Sequence, residues 1–108
     1  MENFMQQEAI DRIKKMEKCF DMLTIAEQDN PDSLIENTSL RLCLCILIHY
    51  YENGQWLQDY ELDEKGLLPQ NLKRGVLSQD AVYNFLDRIK SIEGFERVIA
   101  NDNHLQSK

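Results

Sequence analysis

The chain has 108 residues and a formal net charge of −7, from 19 acidic and 12 basic side chains. This length predicts one domain, because two ordinary domains would need a longer chain. Nucleic-acid binding draws most of its affinity from Lys and Arg at phosphates, and anionic membrane surfaces attract the same cations. The charge therefore argues against a nucleic-acid binder and against a membrane-surface protein.

The N-terminus and the cysteines give an expectation about cellular location. Residues 1–4 lack the basic start and apolar run of a secretory signal peptide. The longest apolar run, residues 42–48, is far shorter than the roughly 20 residues that a membrane-spanning helix needs. The 3 cysteines form an odd set with no disulfide framework, which is typical of a reducing compartment. We therefore expect a cytoplasmic protein that neither spans nor binds a membrane.

The first predicted helix covers residues 4–27. Its apolar residues are spaced alternately by four and by three, so they share one helical face, and polar residues fill the other faces. This pattern is typical of one helix in an antiparallel pair. The apolar positions are Ala9, Ile13, Met16, Phe20 and Leu23.

A second helix is predicted over residues 31–52. Asn30 is a favourable N-cap, and Pro31 suits the first helical position, where its missing N–H costs nothing. Gly54 suits the left-handed residue just past the C-terminus. Because the two helices are joined by a very short connection, they should form an antiparallel hairpin.

The middle of this second helix, residues 42–48, is apolar all round, which predicts burial on every side. A strand over residues 40–50 is the competing interpretation of such a short run. We favour the helix, because the cap is strong and Leu outnumbers the β-branched residues. The two other helices and the connector of one chain are not expected to cover every side of this apolar stretch. A homodimer through the first or second helix, formed by an isologous contact, is therefore a further expectation.

The third predicted helix begins at Ser78. Ser78 is expected to be the N-cap, and Leu77 before it can pack on Val82 as a hydrophobic staple. Gly94 should end or weaken the helix, and residues 101–108 form a polar C-terminal tail that is expected to fray. The apolar face comprises Val82, Phe85, Leu86, Ile89 and Ile92.

Residues 53–77 are predicted to form an irregular connector between the second and third helices. Connections this long are uncommon in compact domains and are often functional. Within it, residues 63–66 have the Asp-first, Gly-last pattern of a turn. The connector and the end of the second helix collect aromatic, acidic and basic side chains, which we take as the candidate partner or ligand surface. Its residues are Tyr51, Trp56, Asp59, Tyr60, Asp63, Lys73 and Arg74.

Two interpretations of these side chains remain open. Trp56 and Tyr60 are expected to cap the open end of the hairpin core, and the alternative is a groove that grips a partner peptide or helix. Arg74 is expected to be fixed in place, with Asp59 and Asp63 as the carboxylates within reach, because a guanidinium can hold a carboxylate by two bonds.

Two stretches of the sequence are similar to a known family. They read HYYENGQWLQDYELDE, residues 49–64, and LPQNLKRGVLSQD, residues 68–80, which leads into Tyr83 and Asn84. Together they resemble a bacterial family known only as domain of unknown function forty-two ninety-eight. The resemblance is close over residues 50–86. It implies a bacterial, intracellular, helical protein, and it supplies no activity, cofactor or catalytic residue.

The sequence carries no complete catalytic or metal-binding set. Cys45 and His49 lie four residues apart on one helical face, which is half of a metal site without a second pair. The glycines are isolated, so no phosphate-binding loop is evident, and Ser78 is already explained as a cap. We therefore predict no metal, no cofactor and no catalytic residue.

These patterns together predict an all-α fold in a single helical domain, residues 1–100. It consists of an antiparallel helical hairpin, an irregular connector and a third helix packed on the hairpin. The predicted function is a non-enzymatic protein-interaction or regulatory module with a protein partner that the sequence does not identify. The alternative is a small-molecule binder or small enzyme that uses the acidic and aromatic residues of the connector.

Overall fold

The computed structural model describes residues 4–98. In chain order the elements are α1 (Phe4–Asp29), α2 (Ser33–Glu36), α3 (Thr38–Glu52), α4 (Gln55–Glu64), a 3₁₀ turn (Gly75–Leu77) and α5 (Ala81–Ile89). Residues 95–98 are helical again, up to the last described position. Because no strand occurs between residues 4 and 98, the predicted all-α fold is confirmed. The tail predicted at residues 101–108 lies outside the described residues.

The long helix α1 provides one wall of the core. Four of its five predicted apolar positions are buried, and Phe20, the fifth, is partly buried. The ring of Phe20 meets that of Phe85 edge to face, with centroids 5.6 Å apart. The Arg88 guanidinium also holds the Glu27 carboxylate by two hydrogen bonds of 2.9 and 2.8 Å. These contacts place α5 against the C-terminal half of α1.

The predicted second helix, residues 31–52, is wrong in one respect, because the chain forms two helices there, α2 and α3. The backbone at Asn37 is extended, with φ −84° and ψ 122°, and its side-chain oxygen accepts the Leu40 N–H at 3.0 Å. Asn37 is therefore the N-cap of α3, the role predicted for Asn30. Residues 37–39 read Asn-Thr-Ser, and such short polar side chains compete with the helix for backbone hydrogen bonds.

α1 and α3 run antiparallel, with the short α2 at the turn between them. Near one end, the Cys19 thiol makes a hydrogen bond with the Cys43 thiol. Near the other end, Arg12 and Tyr50 line one groove between the two helices. Residue numbers along α3 therefore decrease in the direction in which residue numbers along α1 increase, as expected for antiparallel helices. Burial, with the Cys43 hydrogen bond adding to it, raises the pKa of Cys19 to about 11.

The predicted irregular connector, residues 53–77, is also wrong in part, because it contains α4 and the 3₁₀ turn. α4 ends in a Schellman motif. Gly66, with φ +72°, donates its N–H to the Asp63 carbonyl at 3.0 Å, and the Leu67 N–H bonds to the Leu62 carbonyl at 3.0 Å. The first of these bonds is the turn predicted at this position.

The third predicted helix starts later and ends earlier than its sequence pattern suggested. It begins at Ala81, whereas Ser78 has an extended backbone, with φ −62° and ψ 133°, and ends the preceding 3₁₀ turn. The helix stops at Ile89, and the chain passes Gly94 with φ +94° before turning helical again. A Cβ at Gly94 would lie 3.0 Å from Cγ2 of Ile35, so both space and backbone geometry favour glycine.

Candidate functional site

A row of aromatic rings crosses α4 and the end of α3. Trp56 and Tyr60 are one turn apart on α4, and their rings stack with centroids 5.2 Å apart and an interplanar angle of 11°. The ring of Tyr51 meets Trp56 edge to face at 5.4 Å. The Trp56 indole N–H donates to the Val76 carbonyl at 2.8 Å, which ties the row to the 3₁₀ turn. All three rings are half-buried, so they pack on the core and also reach solvent.

The row continues into a groove of about 310 Å³ between α3 and α5. Tyr51 lines this groove together with Tyr83, which is 59% exposed, and Phe95. The carboxyl-bearing residues Glu52 and Asp87 line it as well. We call the five aromatic residues of the row and the groove the aromatic strip. The strip comprises Tyr51, Trp56, Tyr60, Tyr83 and Phe95.

Asp59, a predicted surface residue, is fully buried. Its carboxylate accepts hydrogen bonds from Nε of Arg12 at 2.9 Å, from a second nitrogen of the same guanidinium, and from the Tyr50 hydroxyl at 2.8 Å. Burial, followed by the Asp59 carboxylate, raises the pKa of Tyr50 well above its usual value. The hydrogen bond to Asp59 likewise raises the pKa of Arg12. Asp59 therefore ties α4 to α1 and α3 and is not available to a partner.

Arg74 is fixed, as predicted, and Asp63 is its carboxylate. One guanidinium nitrogen pairs with Asp63, another donates to the Pro69 carbonyl, and Nε donates to the Leu72 carbonyl at 3.2 Å. The second predicted carboxylate, Asp59, is wrong for this clamp, because Arg12 occupies it. Arg74 thus holds the loop between α4 and the 3₁₀ turn against the C-terminal end of α4.

Lys73 lies apart from the aromatic strip and faces α1. Its ammonium is 2.7 Å from the Asp21 carboxylate, and its side chain remains 70% exposed. Beside it, the Glu17 carboxylate is 5% exposed and accepts the Val76 N–H at 2.7 Å. Glu17 was not among the predicted site residues. The available signal was its position on α1, between the core residues Met16 and Phe20.

A second groove, of about 620 Å³, runs between α1 and α3 and is predominantly apolar. We call it the α1–α3 groove. Leu42, which lines it, is 61% exposed, whereas Leu44, two residues on, is fully buried. The prediction that residues 42–48 are buried on every side is therefore wrong within one chain. The groove is lined by Asp11, Arg12, Lys15, Met16, Leu42, Cys45, Ile46, His49, Tyr50 and Gln55.

Between residues 4 and 98, no three His, Cys, Asp or Glu side chains come together in a way that could bind a metal ion. Within the same residues, none of the helices combines the length and apolar character needed to cross a membrane.

Comparison with known proteins identifies a family. The family model described as Domain of unknown function (DUF4298) matches residues 13–95, which include every residue of the predicted partner surface. No curated protein and no solved structure matches the chain significantly. The matched segment covers α2, α3, α4, the 3₁₀ turn and α5, together with most of α1. The chain therefore belongs to the DUF4298 family.

Proposed function

We propose that the chain is a non-enzymatic protein-interaction module of the bacterial cytoplasm, and that its aromatic strip binds a basic segment of a partner protein. The observation that carries this proposal is the continuity of the strip. Its rings run from α4 across α3 to α5 and remain partly open to solvent. Aromatic rings of this kind are enriched at protein interfaces, where they bury a large area and few rotatable bonds are lost.

The charges beside the strip favour a cationic partner. Glu52 and Asp87 line the groove at one end, where Lys90 pairs with Asp87 at 2.8 Å, so Glu52 is the carboxylate that a cationic partner would meet. At the other end, desolvation and the Glu64 carboxylate raise the pKa of the Tyr60 hydroxyl. Lys and Arg side chains are attracted both to ring faces and to carboxylates. The net charge of −7 would also steer a basic segment towards this chain.

The alternative function, a small-molecule binder or enzyme built from the connector, has less support. Catalysis by its carboxylates would need groups that can reach a substrate. Asp59 is fully buried and bonded to Arg12, and Asp63 is paired with Arg74. Two of the connector's four candidate carboxylates, Asp59 and Asp63, are thus already engaged within the chain. The 3 cysteines are all free, which is in keeping with a reducing compartment.

Trp56 provides the test, because it is the single tryptophan of the chain and lies within the strip. A synthetic peptide that alternates Arg and Leu should change its fluorescence on binding, and a control peptide with Gln at each Arg position should bind far more weakly. Glu52→Lys should weaken binding of the Arg peptide about tenfold, which corresponds to about 1.4 kcal/mol.

Glu36→Lys is the matched control, because it makes the same charge change on α2, outside the strip. It should leave the affinity near that of the unmodified chain. Equal binding of the two peptides would contradict the proposal. Equal losses from the two substitutions would contradict it too, because they would indicate attraction by net charge alone.

A further inference from the structure

We propose that a second copy of this chain occupies the α1–α3 groove, related to the first by a two-fold axis that crosses α1 at the level of Ile13. The groove leaves unusually apolar surface open. Leu42 is 61% exposed, and Met22, on the neighbouring part of α1, is 48% exposed. This interface is separate from the aromatic strip, because Tyr51 and Leu42 are nine residues apart in α3 and point to opposite sides of that helix.

The charges along α1 favour self-pairing over other occupants. Glu8, Asp11, Lys15 and Lys18 are spaced by three, four and three residues, so they form one stripe along the helix. Asp11 and Lys15 also line the groove. The stripe is acidic in its first half and basic in its second half. A single copy therefore carries both halves of a complementary pattern.

A two-fold axis matches these charges in pairs. Position 13 is midway between positions 11 and 15, and also midway between positions 8 and 18. In an isologous antiparallel contact, Asp11 therefore faces the partner's Lys15, and Glu8 faces the partner's Lys18. Within its own chain, Asp11 accepts a hydrogen bond from the exposed Gln7 amide at 3.1 Å. Lys15 makes no salt bridge with any residue that the structure describes.

The same contact covers the apolar surface of both copies. Leu42, Ile46 and Met16 all line the groove on the same side of the axis, so the two-fold places them against the N-terminal half of the partner's α1 and the Gln55 end of its groove. Apolar burial supplies most of the stabilisation in such contacts, and the charges set the register. The local charge match also offsets the repulsion between two chains that each carry a net charge of −7.

The experiment is sedimentation equilibrium of the full chain over a wide concentration range. The apparent mass should rise from 12.7 kDa towards twice that value. Asp11→Lys and Lys15→Asp should each weaken self-association at least about tenfold, because like charges then face each other across the axis. Lys90→Asp, the same charge change beside the aromatic strip and away from the α1–α3 groove, should leave it unchanged. Circular dichroism checks that each variant remains helical.

The decisive step is to mix the two single variants, each carrying a different affinity tag. One variant then has only basic groups at positions 11 and 15, and the other has only acidic groups there. The mixture should form a heterodimer, and the double variant Asp11→Lys/Lys15→Asp should regain the homodimer. A concentration-independent monomer of the unmodified chain overturns the proposal. A mixture that stays monomeric, or single variants that still dimerise fully, overturns it as well.

Discussion

α4 and the neighbouring α1–α3 groove differ in which kind of side chain is engaged within the chain and which kind is open to solvent. In α4, the carboxylates of Asp59 and Asp63 each hold an arginine of the same chain. In the groove, Leu42 is largely exposed and Ile46 is partly exposed. Charged groups are therefore part of the internal framework here, while apolar groups form the open surface. The comparison shows that polarity alone does not identify the surface that is open to a partner. In a small domain, that surface consists of the side chains that are not already bonded or packed within the chain.

The strongest test of this comparison sets Asp59 against Asp63, two carboxylates one turn apart on α4. Asp59→Ala should lower the free energy of unfolding by about 3–5 kcal/mol, because it leaves the Arg12 charge without its buried partner. Asp63→Ala, at a partly exposed pair, should cost only about 1 kcal/mol. Urea unfolding followed by circular dichroism measures both values. Similar losses would mean that the two ion pairs are equivalent.

A second test compares two leucines of α3 that lie two residues apart. Leu44→Ala should lower the free energy of unfolding by about 2–5 kcal/mol, because Leu44 is fully buried. Leu42→Ala should change it by no more than about 0.5 kcal/mol, because Leu42 is mostly exposed. Both are measured at a protein concentration low enough for the monomer to predominate. A large loss at Leu42 under those conditions would place it in the core of the single chain.

The Tyr50 hydroxyl predicts a stability change at alkaline pH. Burial and the Asp59 carboxylate raise its pKa in the folded chain above the usual value of about 10. The stabilisation is complete below pH 10. As the pH rises further, the unfolded chain loses this proton first, and the free energy of unfolding falls by at most about 1.4 kcal/mol per pH unit. Tyr50→Phe should be less stable at neutral pH but should show a flatter decline. Parallel pH profiles of the unmodified chain and the Tyr50→Phe variant would show that the Tyr50 hydroxyl does not cause the loss of stability at alkaline pH.

The smallest expected effect concerns the loop that follows α4. Arg74→Lys should cost about 1 kcal/mol and should speed amide hydrogen exchange over residues 66–72, because the donors of Lys all lie on one nitrogen and do not span the Asp63 carboxylate and the two carbonyls that Arg74 reaches from three nitrogens. Lys73→Ala is the control, since its side chain is 70% exposed, and it should change stability by less than about 0.5 kcal/mol. Unchanged exchange in the Arg74 variant would show that the clamp does not hold the loop.

Local patterns in the sequence predicted much of the fold. The apolar spacing in α1 gave its extent to within two residues, and the same kind of pattern located α5. Gly54 was predicted to be left-handed, and its φ is +98°. α4 was missed, because that glycine was taken only as the end of the preceding helix. In the structure it also precedes α4 directly, as its N-cap residue.

The candidate site was less predictable, because its arrangement depends on long-range contacts. Trp56 and Tyr60 were expected together, since they lie one turn apart in any helix. The burial of Asp59 depends on Arg12, which lies 47 residues away in the sequence. Neither the composition nor the periodicity of the sequence indicates a contact between residues so far apart. Glu17 was missed for a similar reason, because its acceptor role depends on the distant Val76 N–H.

The position of Asp59 in the chain has a consequence for synthesis on the ribosome. The chain emerges from its N-terminus, so α1 and α3 are both complete before α4 exists. Until then, Arg12 and Tyr50 lack the carboxylate that they share in the finished structure. The growing hairpin can therefore collapse on its apolar face, but its polar interior is completed only after Asp59 leaves the exit tunnel. Nascent chains arrested before α4 should consequently be far more sensitive to protease than chains arrested after α5.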